Sequence, residues 1–241
     1  MSERTTDTYF ASTRTATFGF LAALPLLVAY ESLVLLLNKG AVEQVRVGAD
    51  VWVKTLLSTV GSAGMFGLGI GVLLIGVVIL YRDRHRNVSL QPRFFLWGLG
   101  ESLLYAIVLA FAISATVGAL FNGFSVPSPL DKGTMLVLSL GAGLYEELIF
   151  RVVLVGGLYA VARRFLPGRI AAYFLAAVVG ALLFSWVHYV GPYGDPFTFA
   201  SFTFRFLFGL ALNGLYLVRG FGIAAWTHAL YDVLVVTQIL G

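Results

Sequence analysis

The sequence alternates long apolar runs with short polar segments, and seven of the runs are long enough to form membrane-crossing helices. The runs cover about residues 16–37, 60–80, 95–121, 134–162, 170–190, 199–218 and 223–240. Glycine, proline and charged residues lie between them and end the helices. We therefore expect an all-α fold, a polytopic transmembrane helical bundle of about seven spans, or eight if one run is split.

Two stretches outside these runs have a different pattern. Residues 1–15 are polar and mixed in charge, which is typical of a short tail and not of a secretory signal. Residues 39–57 carry a charge every three or four positions among valines and leucines, which predicts an amphipathic helix on the membrane surface. Because no repeat or linker divides the chain, residues 1–241 are expected to form a single integral-membrane domain.

The composition supports a membrane protein and excludes several kinds of chemistry. Hydrophobic residues make up 59% of the chain and charged residues 12%, and the mean hydropathy is +0.90. The chain has no cysteine, so disulfides, thiolate catalysis and cysteine-bound zinc are excluded. The net charge of +4 comes mostly from arginines in short loops, which indicates no nucleic-acid partner.

The distribution of Lys and Arg predicts the orientation, because cytoplasmic loops carry the excess of these residues. With the N-terminus inside, the cytoplasmic segments hold Arg4, Arg14, Arg82, Arg84, Arg86, Arg93, Arg163, Arg164, Arg169 and Arg219. The outer segments then hold Lys39, Arg46, Lys54 and Lys132. We expect a multi-pass protein of the cell inner or plasma membrane with a cytoplasmic N-terminus.

Several ionisable residues interrupt the apolar runs. Each is unfavourable in a bilayer by at least ~2.5–3.5 kcal/mol, so it requires a partner or a function. The set comprises Glu146, Glu147, Arg151, His188, Arg205, His228 and Asp232. Two further carboxylates, Glu31 and Glu101, lie towards the ends of their spans. We expect Arg205 to extend to the membrane interface or a lipid phosphate.

Helical spacing predicts different surroundings for the two carboxylates of the fourth run. Glu147 and Arg151 are four residues apart and can form an ion pair on one face. Glu146 is turned away from Glu147 by about 100° on an α-helix and remains available. In the seventh run His228 and Asp232 share a face, and in the fifth run Phe184 lies one turn before His188 and can wall the same face against water.

Three different spans thus supply the groups: the fourth supplies a carboxylic acid, the fifth an imidazole, and the seventh an imidazole with a carboxylate. Such a set can activate water, with Glu146 as general base assisted by a histidine and the other groups holding a carbonyl and its oxyanion. The predicted reaction is amide-bond hydrolysis inside the membrane. A proton-coupled transporter and a non-catalytic immunity or scaffold protein are the alternatives.

Three motifs in the same order identify a family resemblance. EELIFR has the form EExxxR, FSWVH the form FxxxH, and HALYD the form HxxxD. Residues 134–236 therefore resemble the CPBP family of CAAX proteases and bacteriocin-processing enzymes, also called Abi, which includes the Ras-converting CAAX prenyl endopeptidase. The resemblance implies a helical bundle around a conical cavity and an intramembrane endopeptidase acting on a membrane-associated peptide or protein among membrane lipids.

The resemblance also implies residue roles. Glu146 would activate the water, His188 would assist it, and His228 with position 232 would stabilise the oxyanion. The supporting residues would be Glu147, Arg151 and Phe184. The prenyl endopeptidases resembled here have asparagine where this chain has Asp232, which donates a hydrogen bond only when protonated.

The same four residues that would carry catalysis could instead bind a metal. Two histidines and carboxylates with an open position suit catalytic zinc, so a zinc-dependent hydrolysis through Glu146, His188, His228 and Asp232 is an alternative. No cofactor is the favoured expectation, since the chain lacks the compact HExxH pair.

Overall fold

The computed structural model describes residues 8–37, 64–86, 88–121, 132–191 and 194–237. Within these ranges 87% of the residues are helical and none forms a strand, so the all-α prediction is confirmed. The predicted surface helix over 39–57 lies outside the described residues.

The described residues form nine α-helices, numbered here in chain order. They are α1 (Tyr9–Thr13), α2 (Ala16–Leu37), α3 (Gly64–Asp83), α4 (Pro92–Phe121), α5 (Lys132–Gly141), α6 (Gly156–Phe165), α7 (Arg169–Val187), α8 (Phe199–Arg219) and α9 (Phe221–Val236). Two π-helical segments, π1 (Ala142–Glu146) and π2 (Leu148–Val155), join α5 to α6 without a break. Residues 132–165 therefore form one continuous helix of changing geometry.

Four of these helices are long and apolar enough to cross a membrane: α2, α4, α7 and α8. Helix α9 is also apolar but shorter. Large apolar side chains such as Leu36, Phe111 and Phe174 are exposed on the outer faces of these helices, as expected where lipid is the solvent. The chain is an integral membrane protein, and the count of seven spans stays a prediction.

Helix α9 lies at the centre of the bundle and separates two apolar clusters. On one side it packs with α2, α5 and π1 around Leu26, Tyr30 and Tyr145. On the other it packs with α4 and α8 around Phe208 and Leu212. Because π1 and π2 both contact α9, their side chains meet those of α9 in the middle of the molecule.

Gly143 allows the closest of these approaches. A Cβ atom at this position would lie 2.5 Å from the Ala225 carbonyl oxygen and 2.5 Å from the Ala229 Cβ. Small residues at such a crossing let two helix backbones come together in a membrane. The contact places the two glutamates that follow Gly143 beside His228.

Candidate active site

The two adjacent glutamates lie at a change of helix geometry. Glu146 ends π1, Glu147 has α-helical backbone angles, and Arg151 lies within π2. The apolar pattern of this run predicts an ordinary α-helix, and the structure differs by adopting the wider π turns. Such turns are rare and occur frequently at functional sites.

Glu147 contacts two other buried ionisable residues, His228 and Arg151. Its Oε1 atom accepts a hydrogen bond from Nδ1 of His228 at 2.7 Å and lies 2.9 Å from Nη1 of Arg151. Both Glu147 and Arg151 are completely buried. The predicted ion pair between them is therefore present. The N–O distance of this pair is short, but its angles are not those of a hydrogen bond. Among the described residues, Oε2 of Glu147 also has no hydrogen-bond partner.

The contact with Glu147 orients the His228 ring. A carboxylate oxygen is placed to accept, so Nδ1 of His228 carries a proton and Nε2 is the nitrogen left for other groups. Nε2 lies 3.5 Å from Oδ2 of Asp232, which is longer than an N–H···O hydrogen bond. Sequence spacing identifies Asp232 as the neighbour of His228, but the closer partner is Glu147. No pattern within one helix could reveal a contact made between two helices.

His188 is oriented in a similar way from another helix. It caps the C-terminal end of α7, and its Nδ1 is 2.7 Å from the carbonyl oxygen of Phe184. A carbonyl only accepts hydrogen bonds, so Nδ1 is protonated and Nε2 is free. Both histidines of the candidate site thus have the same tautomeric arrangement.

The predicted wall residue, Phe184, lies between the two histidines. Its ring centroid is 5.0 Å from that of His188 and 6.2 Å from that of His228. The Arg151 guanidinium lies over the same ring, with Cζ 4.5 Å from the centroid. Phe208 packs edge-on against His228 at 5.1 Å. These rings surround the imidazoles with apolar groups and limit the access of water.

Glu146 differs from Glu147 in exposure and in partners. It is half-buried and makes no hydrogen bond to any residue in the described part of the chain. Its carboxylate interacts electrostatically with His188, His228 and Asp232. The structure therefore brings the four sequence-predicted residues of three helices within electrostatic range of one another, while their chemical roles stay predictions.

The arrangement does not form a metal-ligand set. Across residues 8–37, 64–86, 88–121, 132–191 and 194–237, no three His, Asp or Glu side chains converge closely enough to hold a metal ion. Both histidines place Nδ1 on an oxygen acceptor and leave Nε2 for another group, as metal-ligating histidines also do. The metal-free and the zinc-dependent alternatives both stay predictions.

The other ionisable residues predicted within the apolar runs, Arg205, Glu31 and Glu101, have protein partners. Arg205 pairs with Asp195, and its predicted extension to the membrane interface or a lipid phosphate stays a prediction. Glu31 accepts a hydrogen bond from the Tyr145 hydroxyl at 2.7 Å, and Glu101 pairs with Arg219. A cavity of about 230 Å³ between α4 and α8 is lined by apolar residues with Tyr105 and Arg219, apart from the candidate site.

The chain was compared with known proteins, and part of it matches a family model. The family model described as type II CAAX prenyl endopeptidase, Rce1-like, matches residues 129–234. The matched region begins just before α5 and extends into α9, so it contains every residue of the candidate site. No curated protein and no solved structure matches the chain.

Proposed function

Residues 129–234 belong to the CPBP family of CAAX-type proteases, and from this premise we propose that the protein is an intramembrane endopeptidase whose nucleophile is a water activated by Glu146. One observation carries the proposal. Glu147 is occupied by Arg151 and His228, whereas Glu146 has no hydrogen-bond partner in the described part of the chain and interacts electrostatically with His188 and His228.

Glu146 acts as the general base in this proposal. A base needs an unoccupied lone pair within reach of the water that it deprotonates. The half-buried Glu146 carboxylate meets this condition. It takes a proton from water as the oxygen attacks the scissile carbonyl, and the proton then passes to the leaving amine as the C–N bond breaks. His188, with Nε2 free, assists the water.

The opposite side of the site stabilises the oxyanion. Because Glu147 holds Nδ1 of His228, Nε2 of this ring is directed toward the reacting groups, and it donates to the oxyanion when both ring nitrogens are protonated. Asp232 lies beside it and can donate a hydrogen bond when its carboxyl is neutral. Donors held in place before the reaction stabilise developing charge more than solvent does. No metal participates in this proposal.

The proposed substrate is a membrane-associated peptide or protein, hydrophobic or prenylated, that reaches the site from the lipid. The aromatic walls of Phe184 and Phe208 favour an apolar chain near the scissile bond. The N-terminus is proposed to be cytoplasmic. Membrane lipids are the other expected partners.

Cleavage of a lipid-anchored peptide in proteoliposomes tests the proposal. We expect wild-type protein to release the peptide, and Glu146→Ala and His228→Ala to reduce turnover by at least roughly a hundred-fold. Glu31→Gln is the matched control, because it changes a carboxylate that binds Tyr145 outside the site. Full turnover by both alanine variants would show that the assigned mechanism is wrong.

A further inference from the structure

Arg205 lies on α8 and binds groups from the segment that follows α7. Its Nη2 donates to Oδ2 of Asp195 at 2.5 Å, and its Nη1 donates to the Tyr189 hydroxyl at 2.8 Å. Nη1 also donates to Oγ of Ser201, one turn earlier on α8. The Arg205 side chain is only 14% exposed. A largely buried arginine with three side-chain partners has a fixed conformation, unlike a flexible charge on the surface.

Two of these partners are connected directly to His188. Tyr189 is its neighbour in the chain, and the backbone N–H of Asp195 donates to the carbonyl oxygen of His188 at 2.8 Å. The Tyr189 hydroxyl also donates to Oγ of Ser201 at 2.7 Å, and the guanidinium lies over the Tyr189 ring at 5.2 Å. Arg205 therefore binds two residues that follow His188 in the chain and are linked directly to its backbone.

His188 needs such support because of its position. It lies after the last residue of α7, so regular helical hydrogen bonds do not fix the backbone beyond it. Within the described part of the chain, its ring is held by a hydrogen bond to the Phe184 carbonyl and by edge-on packing against the Phe184 ring. A residue at a helix end can rotate out of the site unless the following segment is fixed.

We propose that Arg205 is a positioning residue for hydrolysis: its planar guanidinium fixes Tyr189 and Asp195 against α8 and thereby holds His188 toward Glu146. This inference rests on the proposed function. None of the three sequence motifs includes Arg205. A planar group with paired N–H donors is required, because the ammonium of lysine cannot reproduce the same set of bonds.

Steady-state kinetics of Arg205→Gln and Arg205→Lys test the proposal. Groups that orient catalytic side chains affect turnover by roughly ten- to a hundred-fold, so we expect both variants to lose kcat in that range with little change in KM. Arg86→Gln is the control, since Arg86 is 69% exposed and pairs only at 3.4 Å with Asp83. Wild-type kcat in Arg205→Lys would overturn the proposal, because charge alone would then suffice.

A second comparison separates positioning from general stability. In a His188→Ala background the residual turnover should not fall further when Arg205→Gln is added, because the positioned group is absent. Asp195→Asn should lower kcat as Arg205→Gln does. The double variant that combines Asp195→Asn with Arg205→Gln should lower kcat no more than either single variant. A further loss of turnover when Arg205→Gln is added to His188→Ala would contradict the proposal. So would a loss of kcat in Arg205→Gln that is fully explained by a lowered Tm.

Hydrogen–deuterium exchange distinguishes failure of this inference from failure of the proposed function. We expect faster exchange in the peptide carrying His188 and Tyr189 in Arg205→Gln than in wild type or Arg86→Gln. If wild type cleaves no peptide but exchange still increases, the function is wrong and the structural arrangement stands. Unchanged exchange overturns the inference even when wild-type protein and the Glu146 variants behave as proposed.

Discussion

Glu147 accepts from one histidine and faces one arginine, and this sets what the neighbouring residues can do. By holding Nδ1 of His228 it directs Nε2 toward Asp232. By neutralising Arg151 it allows a fully buried guanidinium to lie on the Phe184 ring. Glu146, one residue earlier, is left without a hydrogen-bond partner in the described part of the chain. Adjacent identical residues thus have different environments.

Asp232 offers a residue-scale prediction. If its role is to donate to the oxyanion, Asp232→Asn should keep at least about a tenth of wild-type kcat, since an amide donates at any pH. Asp232→Leu should lose roughly a hundred-fold or more, the usual effect of removing an oxyanion donor. Measured kcat values decide between roles: if Asp232→Asn is as inactive as Asp232→Leu, a carboxylate is required and the donor assignment is wrong.

Metal dependence is a second prediction at this scale. Because the donors do not converge, we expect turnover of the purified protein to be unchanged after treatment with a chelator and removal of the chelated metal. Elemental analysis of the same sample provides the control. The metal-free mechanism would be contradicted if the protein contained stoichiometric zinc, lost activity when the zinc was removed, and regained activity when zinc was added back.

At the scale of the elements, the apolar pattern predicts helix bounds well. The runs at 16–37 and 199–218 correspond to α2 (Ala16–Leu37) and α8 (Phe199–Arg219). The apolar pattern does not predict the π turns, because a run of apolar side chains is compatible with either the α-helical or the π-helical backbone hydrogen bonds. Nor does spacing along one helix reveal the contact between Glu147 and His228 or the cluster around Arg205, since both depend on how helices are arranged.

The crossing of π1 and α9 gives a prediction for Gly143. In Gly143→Ala the added methyl would meet the Ala225 carbonyl and the Ala229 side chain. The helices must separate, so we expect a loss of about 1–3 kcal/mol in stability and reduced turnover. Gly157→Ala is the control on the same continuous helix, because no neighbouring atom lies within 4 Å of the added Cβ. Equal Tm values for the two variants would disagree with this packing.

At the scale of the whole molecule, a second polar cluster ties α1, α4 and α8 together away from the candidate site. Glu101 binds Arg219 through both oxygens, at 2.5 and 2.7 Å, and also accepts from the hydroxyls of Tyr9 and Tyr105. Burial and the nearby Glu101 raise the pKa of Tyr9, so its hydroxyl stays a donor at neutral pH. From the sequence, Glu101 could be recognised only as an isolated carboxylate.

The cluster around Glu101 is expected to contribute to stability and not to catalysis. Glu101→Leu leaves the largely buried Arg219 without its partner, and breaking a buried ion pair destabilises a protein by about 3–5 kcal/mol. We expect a lower Tm in detergent or lipid, with kcat near the wild-type value below the transition. A loss of kcat with Tm unchanged would place this cluster in the reaction and contradict the account.

The central claim is that the adjacent glutamates divide catalysis and structure between them. It is tested most directly by measuring both turnover and thermal unfolding for Glu146→Gln and Glu147→Gln under the same conditions. Glu146→Gln should lose turnover by at least roughly a hundred-fold with Tm unchanged. Glu147→Gln leaves the fully buried Arg151 without its ion-pair partner and should lower stability by about 3–5 kcal/mol. A Glu146→Gln variant that turns over normally, or a Glu147→Gln variant as stable as wild type, would contradict this division.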